Sequence, residues 1–387
     1  MDLHDVDGRL ERFLGSLEEK CASRENAEYI RRFMDYCFSN GLSKMRVLKY
    51  VSTLVKISRV MGKPFDRVSK EDVERFVGWV ERNRRFSPWT KQNYKVALKF
   101  FFKWLKGGGE RYPPEVGWVK TTLKTKDELL PEQLLTEEDV MRLVRAANNI
   151  RDKAFIITLY ESGARIGEMG GMRIRDVEFN EHYATLTLKG KTGMRRVPVV
   201  ASVPYLLNWI QNRPRREDPD APLWCSLNDG KPVCYNALAK ILRVAARKAG
   251  LKKNVHPHLF RHSRATFLAK RLTEAQMNVY FGWKQGSKMP SVYVHLSGRD
   301  INDSILGIYG LKEAGEEEPK LKPRICPRCG YSNAHDAQIC SRCGLTLAIE
   351  QAFVTIRRED LTLTTEEIEA LKRLLDLMKQ GKIQVVT

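Results

Sequence analysis

The chain has 387 residues. At roughly 150 residues per domain this excludes a single small module and predicts two or three domains. Hydrophobic residues make up 42%, enough for packed cores, which excludes disorder as the main state. Sixty-seven Lys and Arg against 47 Asp and Glu leave a formal charge of +20, which favours a polyanionic partner. No apolar run approaches about 18 residues, so no membrane span is expected. Met1-Asp2-Leu3-His4-Asp5 lacks the apolar stretch of a secretory signal. Of eight cysteines, four are scattered and four form two tight pairs. That is no disulfide framework for a chain of this length, and a reducing, cytoplasmic setting is expected.

The first hundred or so residues predict four amphipathic helices. Ile30, Phe33, Met34 and Cys37 repeat with helical spacing, as do Val47, Tyr50, Val51, Leu54 and Val55, and then Val73, Phe76, Val77 and Val80. Ser69 with Asp72 forms a capping box for the third helix. Ser87 before Pro88 starts the fourth, which runs to about Leu105 and stops at Gly107-Gly108-Gly109. On that helix Lys91, Lys95, Lys99 and Lys103 are spaced by four, with no acidic residue between Pro88 and Lys106. Like charges at this spacing are mildly destabilising, so an uncompensated row is expected to face nucleic-acid phosphates.

From Gly107 to about Pro131 the chain is rich in Gly, Pro and Lys with little periodicity, and residues 111–131 are expected to be a linker. Thr136 caps a new helix. Ala184, Leu186 and Leu188 alternate with polar residues before the turn Lys189-Gly190-Lys191-Thr192-Gly193, and Arg195 to Val200 returns as the second arm of a hairpin. Helices follow over Tyr235 to Lys248 and His258 to Lys270, and a charged stretch, 313–324, forms a second linker.

Four separated segments carry candidate chemistry. They are Gly163-Ala164-Arg165-Ile166-Gly167-Glu168, the hairpin turn with Lys191, His258-Leu259-Phe260-Arg261-His262-Ser263, and Phe281-Gly282-Trp283 followed by Tyr293-Val294-His295. Each alone has a bland explanation: Arg165 paired with Glu168, a polar turn lysine, a structural His–Arg pair, a core tyrosine. Together and in this order they resemble the tyrosine recombinase (phage integrase) family, residue by residue at Arg165, Lys191, His258, Arg261, Trp283 and Tyr293. The resemblance covers about residues 20 to 310.

It implies a mainly α protein with a small β component. A helical, SAM-like core-binding domain (1–110) would precede a mixed α/β catalytic domain (132–312), the two clamping double-stranded DNA. It implies a site-specific recombinase working without ATP through a 3′-phosphotyrosine on Tyr293 and a Holliday junction, as a dimer on one site and a tetramer in synapsis. Arg165 and Arg261 would hold the phosphate oxygens, since a guanidinium fork suits that task. Lys191 would protonate the leaving 5′-oxygen, with Lys189 as fallback, and His258 would assist. Most of the family has histidine at Trp283, and an indole N–H can donate but not shuttle a proton. His262 and His295 are expected to be structural, and Glu168 to support Arg165. Catalysis is expected to need no metal. A type IB topoisomerase-like enzyme and a non-catalytic DNA-binding regulator are the alternatives.

Beyond the resemblance, Cys326-Pro-Arg-Cys329-Gly330 and Cys340-Ser-Arg-Cys343-Gly344 suit tetrahedral zinc in a ribbon over 325–346; a redox pair or an iron site are alternatives. Arg324, Arg328 and Arg342 surround it, and DNA and protein contacts are both open. In 347–387, Thr364 and Glu367 cap a last helix with an apolar stripe of Ile368, Leu371, Leu375 and Met378, which either docks on its own chain or meets a partner.

Overall fold

The computed structural model describes residues 5–107, 109, 111–122, 130–190, 193–297, 309 and 319–347, and 368–370, 372–373 and 376–377 of the last segment. It divides into two compact units, 2–128 and 129–387.

The first unit is all-helical: α1 (Val6–Gly15), α2 (Leu17–Lys20), α3 (Arg24–Ser39), α4 (Lys44–Met61), α5 (Lys70–Arg82), α6 (Pro88–Leu105) and α7 (Pro114–Gly117). The four expected helices are α3 to α6, while α1, α2 and α7 were not anticipated. The Ser69–Asp72 capping box is present, and the Ser87 side chain accepts from Thr90 N–H with Pro88 in the first turn. The apolar stripes meet in one core that includes Ile30, Phe33, Val51, Leu54, Val73, Phe76, Leu98 and Phe101. The expected linker begins later than its composition suggests. Val116 and Val119 are buried in this core, so 114–119 belongs to the helical unit.

Asn26, fully buried, ties three segments together. Its Nδ2 donates to Ser58 Oγ and Lys63 O, each at 2.9 Å, and its Oδ1 accepts from Phe65 N–H at 2.8 Å. Removing one partner of a buried network leaves the others desolvated and unpaired.

The second unit continues with α8 (Glu137–Ala146), α9 (Ile150–Ser162) and α10 (Ile166–Gly170). A three-stranded antiparallel sheet follows, made of β1 (Val177–Phe179), β2 (Ala184–Gly190) and β3 (Gly193–Val199), in order β1-β2-β3. Ala184, Leu186, Leu188, Val197 and Val199 point inward, the alternation expected of a half-buried hairpin. Then come α11 (Val203–Gln211), α12 (Tyr235–Lys248), α13 (Pro257–Ala269), α14 (Glu274–Phe281) and α15 (Met289–Ser297). Helix α9 is the axis of this unit. Residues 154–162 are all buried, and α8, α11 and α13 pack around it. The Glu161 carboxylate at its C-terminal end accepts the N–H groups of Val200, Ala201 and Ser202 and so anchors the start of α11.

A small ribbon of β4 (Arg324–Ile325) and β5 (Ser332–Asn333) follows. Residues 368–370, 372–373 and 376–377 are helical, with Ile368 and Leu377 exposed. Leu371, Leu375, Met378 and the Thr364–Glu367 cap lie outside the described residues. So does most of the second linker.

Asn26→Ala is expected to lower the stability of the first unit by about 2–3 kcal/mol, measured by urea unfolding followed through tryptophan fluorescence. A loss below about 0.5 kcal/mol would mean that Ser58 and Phe65 find other partners.

Candidate active site and metal centre

The signature residues enter the second unit from different elements. The chain leaves α9 through Gly163 at φ +55°. A Cβ there would stand 2.4 Å from the Phe281 ring, so glycine is required both for the turn and for the close approach of α14. Two residues on, Arg165 caps α10. Its Nη1 donates to Glu168 Oε1 at 2.7 Å and its backbone N–H to Oε2 at 3.0 Å. The expected support of Arg165 by Glu168 is therefore direct contact.

Glu168 also receives Arg195 Nη2 at 2.8 Å, and Arg195 Nε donates to Tyr280 O at 3.0 Å. Arg195, nearly buried on β3, was not singled out in the sequence. It comes to the site only through the register of the hairpin. The same register sets Gly190 against Glu168, where a Cβ would lie 2.5 Å from Oε1. Burial pushes the Glu168 carboxyl up, but the hydrogen bonds and charge of Arg195 and the contacts of Arg165 outweigh it and bring the group down to about 2.

Helix α13 supplies His258 and, one helical turn on, Arg261 and His262. Arg261 is 6% exposed. Its Nη1 donates to Gly163 O at 2.8 Å and its Nη2 to Phe281 O at 2.7 Å. The guanidinium thus joins the end of α9 to the end of α14 and lies over the Phe281 and Trp283 rings. Burial, with the charges of Arg165 and Arg195, pulls Arg261 down to about 10, still a cation at neutral pH.

Tyr293 on α15 is 2% exposed. Its ring stacks on Trp283 at 5.4 Å with 1° between planes, and Trp283 stacks on Phe281 at 4.8 Å. The Tyr293 hydroxyl lies 2.7 Å from His262 Nδ1 in a hydrogen bond. Burial raises the phenol above its ordinary value and Arg261 opposes that. His258 is exposed at the mouth. Burial of part of its ring and the charges of Arg261 and Arg165 hold it below an ordinary imidazole. The structure therefore gathers Arg165, His258, Arg261, Trp283 and Tyr293 into one cluster. Lys191 lies outside the described residues, as does the His295 side chain. The fallback Lys189 is placed at Asp176, 3.3 Å away.

The lysine row of α6 is not uncompensated, as its sequence suggests. Lys95 pairs with Glu81 of α5 at 2.8 Å and Lys91 with the same carboxylate at 3.7 Å. Lys99 donates to Val119 O at 2.9 Å, and Lys99 and Lys103 both lie over the Tyr112 ring. The acidic partner comes from a neighbouring helix, which counting along α6 alone misses.

Cys326, Cys329, Cys340 and Cys343 place their sulfurs within 4.8 Å of one another. Cys326 and Cys343 are 3.5 Å apart, and Cys329 and Cys340 3.6 Å. Four metal–sulfur bonds of about 2.3 Å in a tetrahedron require sulfurs about 3.8 Å apart, so the donor set fits a metal ion. The two turns repeat one geometry. Gly330 and Gly344 donate to Cys326 O and Cys340 O, each at 2.9 Å, while Cys326 and Cys340 donate to Tyr331 O and Leu345 O. Asn333, fully buried, braces the second turn by accepting from Ser341 N–H at 2.8 Å.

The Phage integrase family matches residues 133–299, and the Phage integrase N-terminal SAM-like domain matches residues 29–108. A tyrosine recombinase of Thermosipho africanus is 27% identical over 286 residues, 71% of this chain and 98% of its own. Tyrosine recombinase XerA of Pyrococcus furiosus is 28% identical over 287 residues, 72% and 93% of the two chains. A lambda integrase dimer bound to a COC′ core site shares the fold with a TM-score of 0.57 at 16% identity, over 70% of this chain and 78% of that one. This chain belongs to the phage integrase family of tyrosine recombinases. It is an enzyme of site-specific DNA recombination, one that cleaves and rejoins strands. The cysteine ribbon lies outside both matched ranges. Among the described residues no helix is long and apolar enough to cross a membrane.

The depressed Glu168 carboxyl makes stability depend on pH. A carboxyl at about 2 when folded and near its ordinary value when unfolded contributes stability that is complete above about pH 4.5 and lost as pH falls toward 2. The contribution is about 3 kcal/mol. Urea midpoints of wild type and Glu168→Gln should differ at pH 7 and converge on acidification through that window. A gap that stays constant would rule out this pairing as its origin.

Proposed function

We propose that this recombinase cleaves DNA through Tyr293. The phenolic oxygen bonds to the scissile phosphorus and the bond to the 5′-oxygen breaks, leaving a 3′-phosphotyrosine and a free 5′-hydroxyl. The observation that carries this reading is the convergence of Arg165, Arg261, Trp283 and Tyr293, from three of the four separated segments, on one cluster with a buried tyrosine. Two carbonyls use two of the five N–H donors of Arg261, so three remain for non-bridging oxygens. Arg165, a third exposed and oriented by Glu168, supplies the second guanidinium. Both sit where negative charge grows in the pentacoordinate transition state. Trp283 fixes the tyrosine ring by stacking and has an indole N–H to offer a phosphate oxygen. His258 orients the phosphate from the mouth of the site, and Lys191 at the hairpin turn protonates the leaving 5′-oxygen.

Double-stranded DNA is bound by the helical domain as well as the catalytic one. Phosphates have to draw Lys91 and Lys95 away from Glu81, so each contributes less than a free lysine, while Lys99 and Lys103 extend the row. The working assembly is a dimer on one site and a tetramer of two paired sites that passes through a Holliday junction. The lambda integrase dimer on its core site supports the first of these by analogy of fold. The protein works in the cytoplasm. Its ribbon holds one zinc ion, which four clustered sulfur donors favour over a harder cation. All-cysteine ligation leaves no open coordination position, so the metal serves folding.

Covalent trapping tests the nucleophile. Wild type incubated with nicked suicide fragments from a genomic library should yield denaturant-resistant adducts at a narrow set of sequences, and Tyr293→Phe should yield none. Adducts of equal yield on all DNA would move the reading to a type IB topoisomerase-like activity, and adducts with Tyr293→Phe would displace Tyr293. Metal analysis of the purified chain should find one zinc per molecule. Cys340→Ser should lose it and lower the thermal midpoint. A zinc-free wild type of unchanged midpoint would refute the structural role.

A further inference from the structure

We propose that His262 is the group that receives the Tyr293 phenolic proton as the tyrosine oxygen bonds to phosphorus. The inference rests on the reading of Tyr293 as the nucleophile and adds the missing base to it. His262 Nδ1 is 2.7 Å from the tyrosine oxygen, within the distance a proton-transfer partner needs. His258 is set apart. It is exposed, and its ring centroid is 6.5 Å from that of His262.

The placement follows from the helix. His258 and His262 are four residues apart on α13, so they share a face one turn apart. The N-terminal one reaches the mouth and the other reaches α15. Tyr293 does not depend on His262 for its position, because its ring is already stacked face to face on Trp283. The histidine contact is made with the reacting atom and not with the ring's packing surface.

The surroundings tune the pair. Burial holds the His262 imidazole below its ordinary value, helped by His258, His256 and Arg261. The ring is therefore neutral near pH 7, with a lone pair available at Nδ1 when its proton is on Nε2. Burial is the larger part of that cost to the imidazolium, and the fixed charge of Arg261 adds to it. A phosphate seated on Arg165 and Arg261 offsets the part that comes from charge, so the proton transfer becomes more favourable once DNA is in place. The step balances. The oxygen–phosphorus bond forms as the tyrosine proton passes to Nδ1, and the phosphorus–5′-oxygen bond breaks as an acid supplies the departing oxygen's proton. Rejoining runs the same transfers backward.

The test is single-turnover adduct formation on a suicide duplex trapped by the wild-type protein. His262→Gln keeps a hydrogen-bonding side chain but cannot take up a proton. His262→Asn replaces it should the glutamine variant fail to fold, as judged by its thermal midpoint. The cleavage rate is expected to fall about 100-fold or more with DNA affinity unchanged. Replacing Tyr293 with the more acidic 3,5-difluorotyrosine in the variant should recover most of that loss, because a more acidic phenol needs less help from a base. A 5′-bridging sulfur, which leaves without a proton, should not recover it. A variant within about threefold of wild type, or one rescued by the sulfur and not by the fluorotyrosine, would overturn the proposal. Adducts formed by Tyr293→Phe would instead sink the nucleophile assignment itself, so the two failures are distinguishable.

Discussion

The buried guanidinium of Arg261 is the constraint around which the second unit is arranged. A charge taken out of water is costly unless it is paired. Here its two hydrogen bonds go to neutral carbonyls, and among the described residues no carboxylate lies within ion-pair distance of it. Gly163 O and Phe281 O hold the group in place without cancelling its charge. Folding therefore leaves a net positive centre, which a phosphate can neutralise. The same two bonds fix the ends of α9 and α14, and those ends carry Arg165 and Trp283. One side chain thus sets the positions of two others as well as its own.

A second ionic group keeps that positive centre within bounds. Glu168 takes one hydrogen bond from Arg195 and two from Arg165, and its carboxylate lies against Gly190 at the end of the hairpin. Arg195 is consumed in this contact and in Tyr280 O, so it acts as scaffold. Arg165 keeps a third of its side chain open. The division of labour between the two arginines follows from burial: the one sealed by the sheet holds the carboxylate, and the one at the edge remains available to substrate.

Most of the site was legible because its residues sit in short local patterns. Gly-Ala-Arg-Ile-Gly-Glu and His-x-x-Arg-His place their side chains through helix geometry, which a sequence displays directly. The helices α3 to α6 and α12 were legible for the same reason, in their apolar spacing and their caps. What escaped is what depends on contacts between distant segments. Arg195 has no local signature. His262 stands next to a signature arginine, but its meeting with Tyr293 depends on how α15 packs on α13. Glu81 lies outside α6, so the lysines of that helix looked unpaired until α5 was laid beside them. Val116 and Val119 sit among glycines and prolines, and a composition typical of linkers hid two core residues.

The ribbon shows how an appended element can become part of the unit it follows. Its His335 and Asp336 both meet the Tyr205 hydroxyl of α11, at 3.1 and 3.2 Å, and Asp336 also faces Arg145 of α8 at 3.7 Å. Just upstream, Lys320 bonds to Glu137 and Glu138 at the start of α8. These contacts come from a segment of about twenty residues, which is too short to fold on apolar burial alone. The sulfur cluster must therefore supply the order that the contacts require. Helix α11 is in turn anchored at its first turn by Glu161, four residues before Arg165. The sulfur cluster, the docked ribbon and the position of α11 thus form one mechanical series ending four residues before Arg165. A weak cluster would loosen the docked face of α11 first, and the Glu161 anchor would limit how far the loosening travels toward the site.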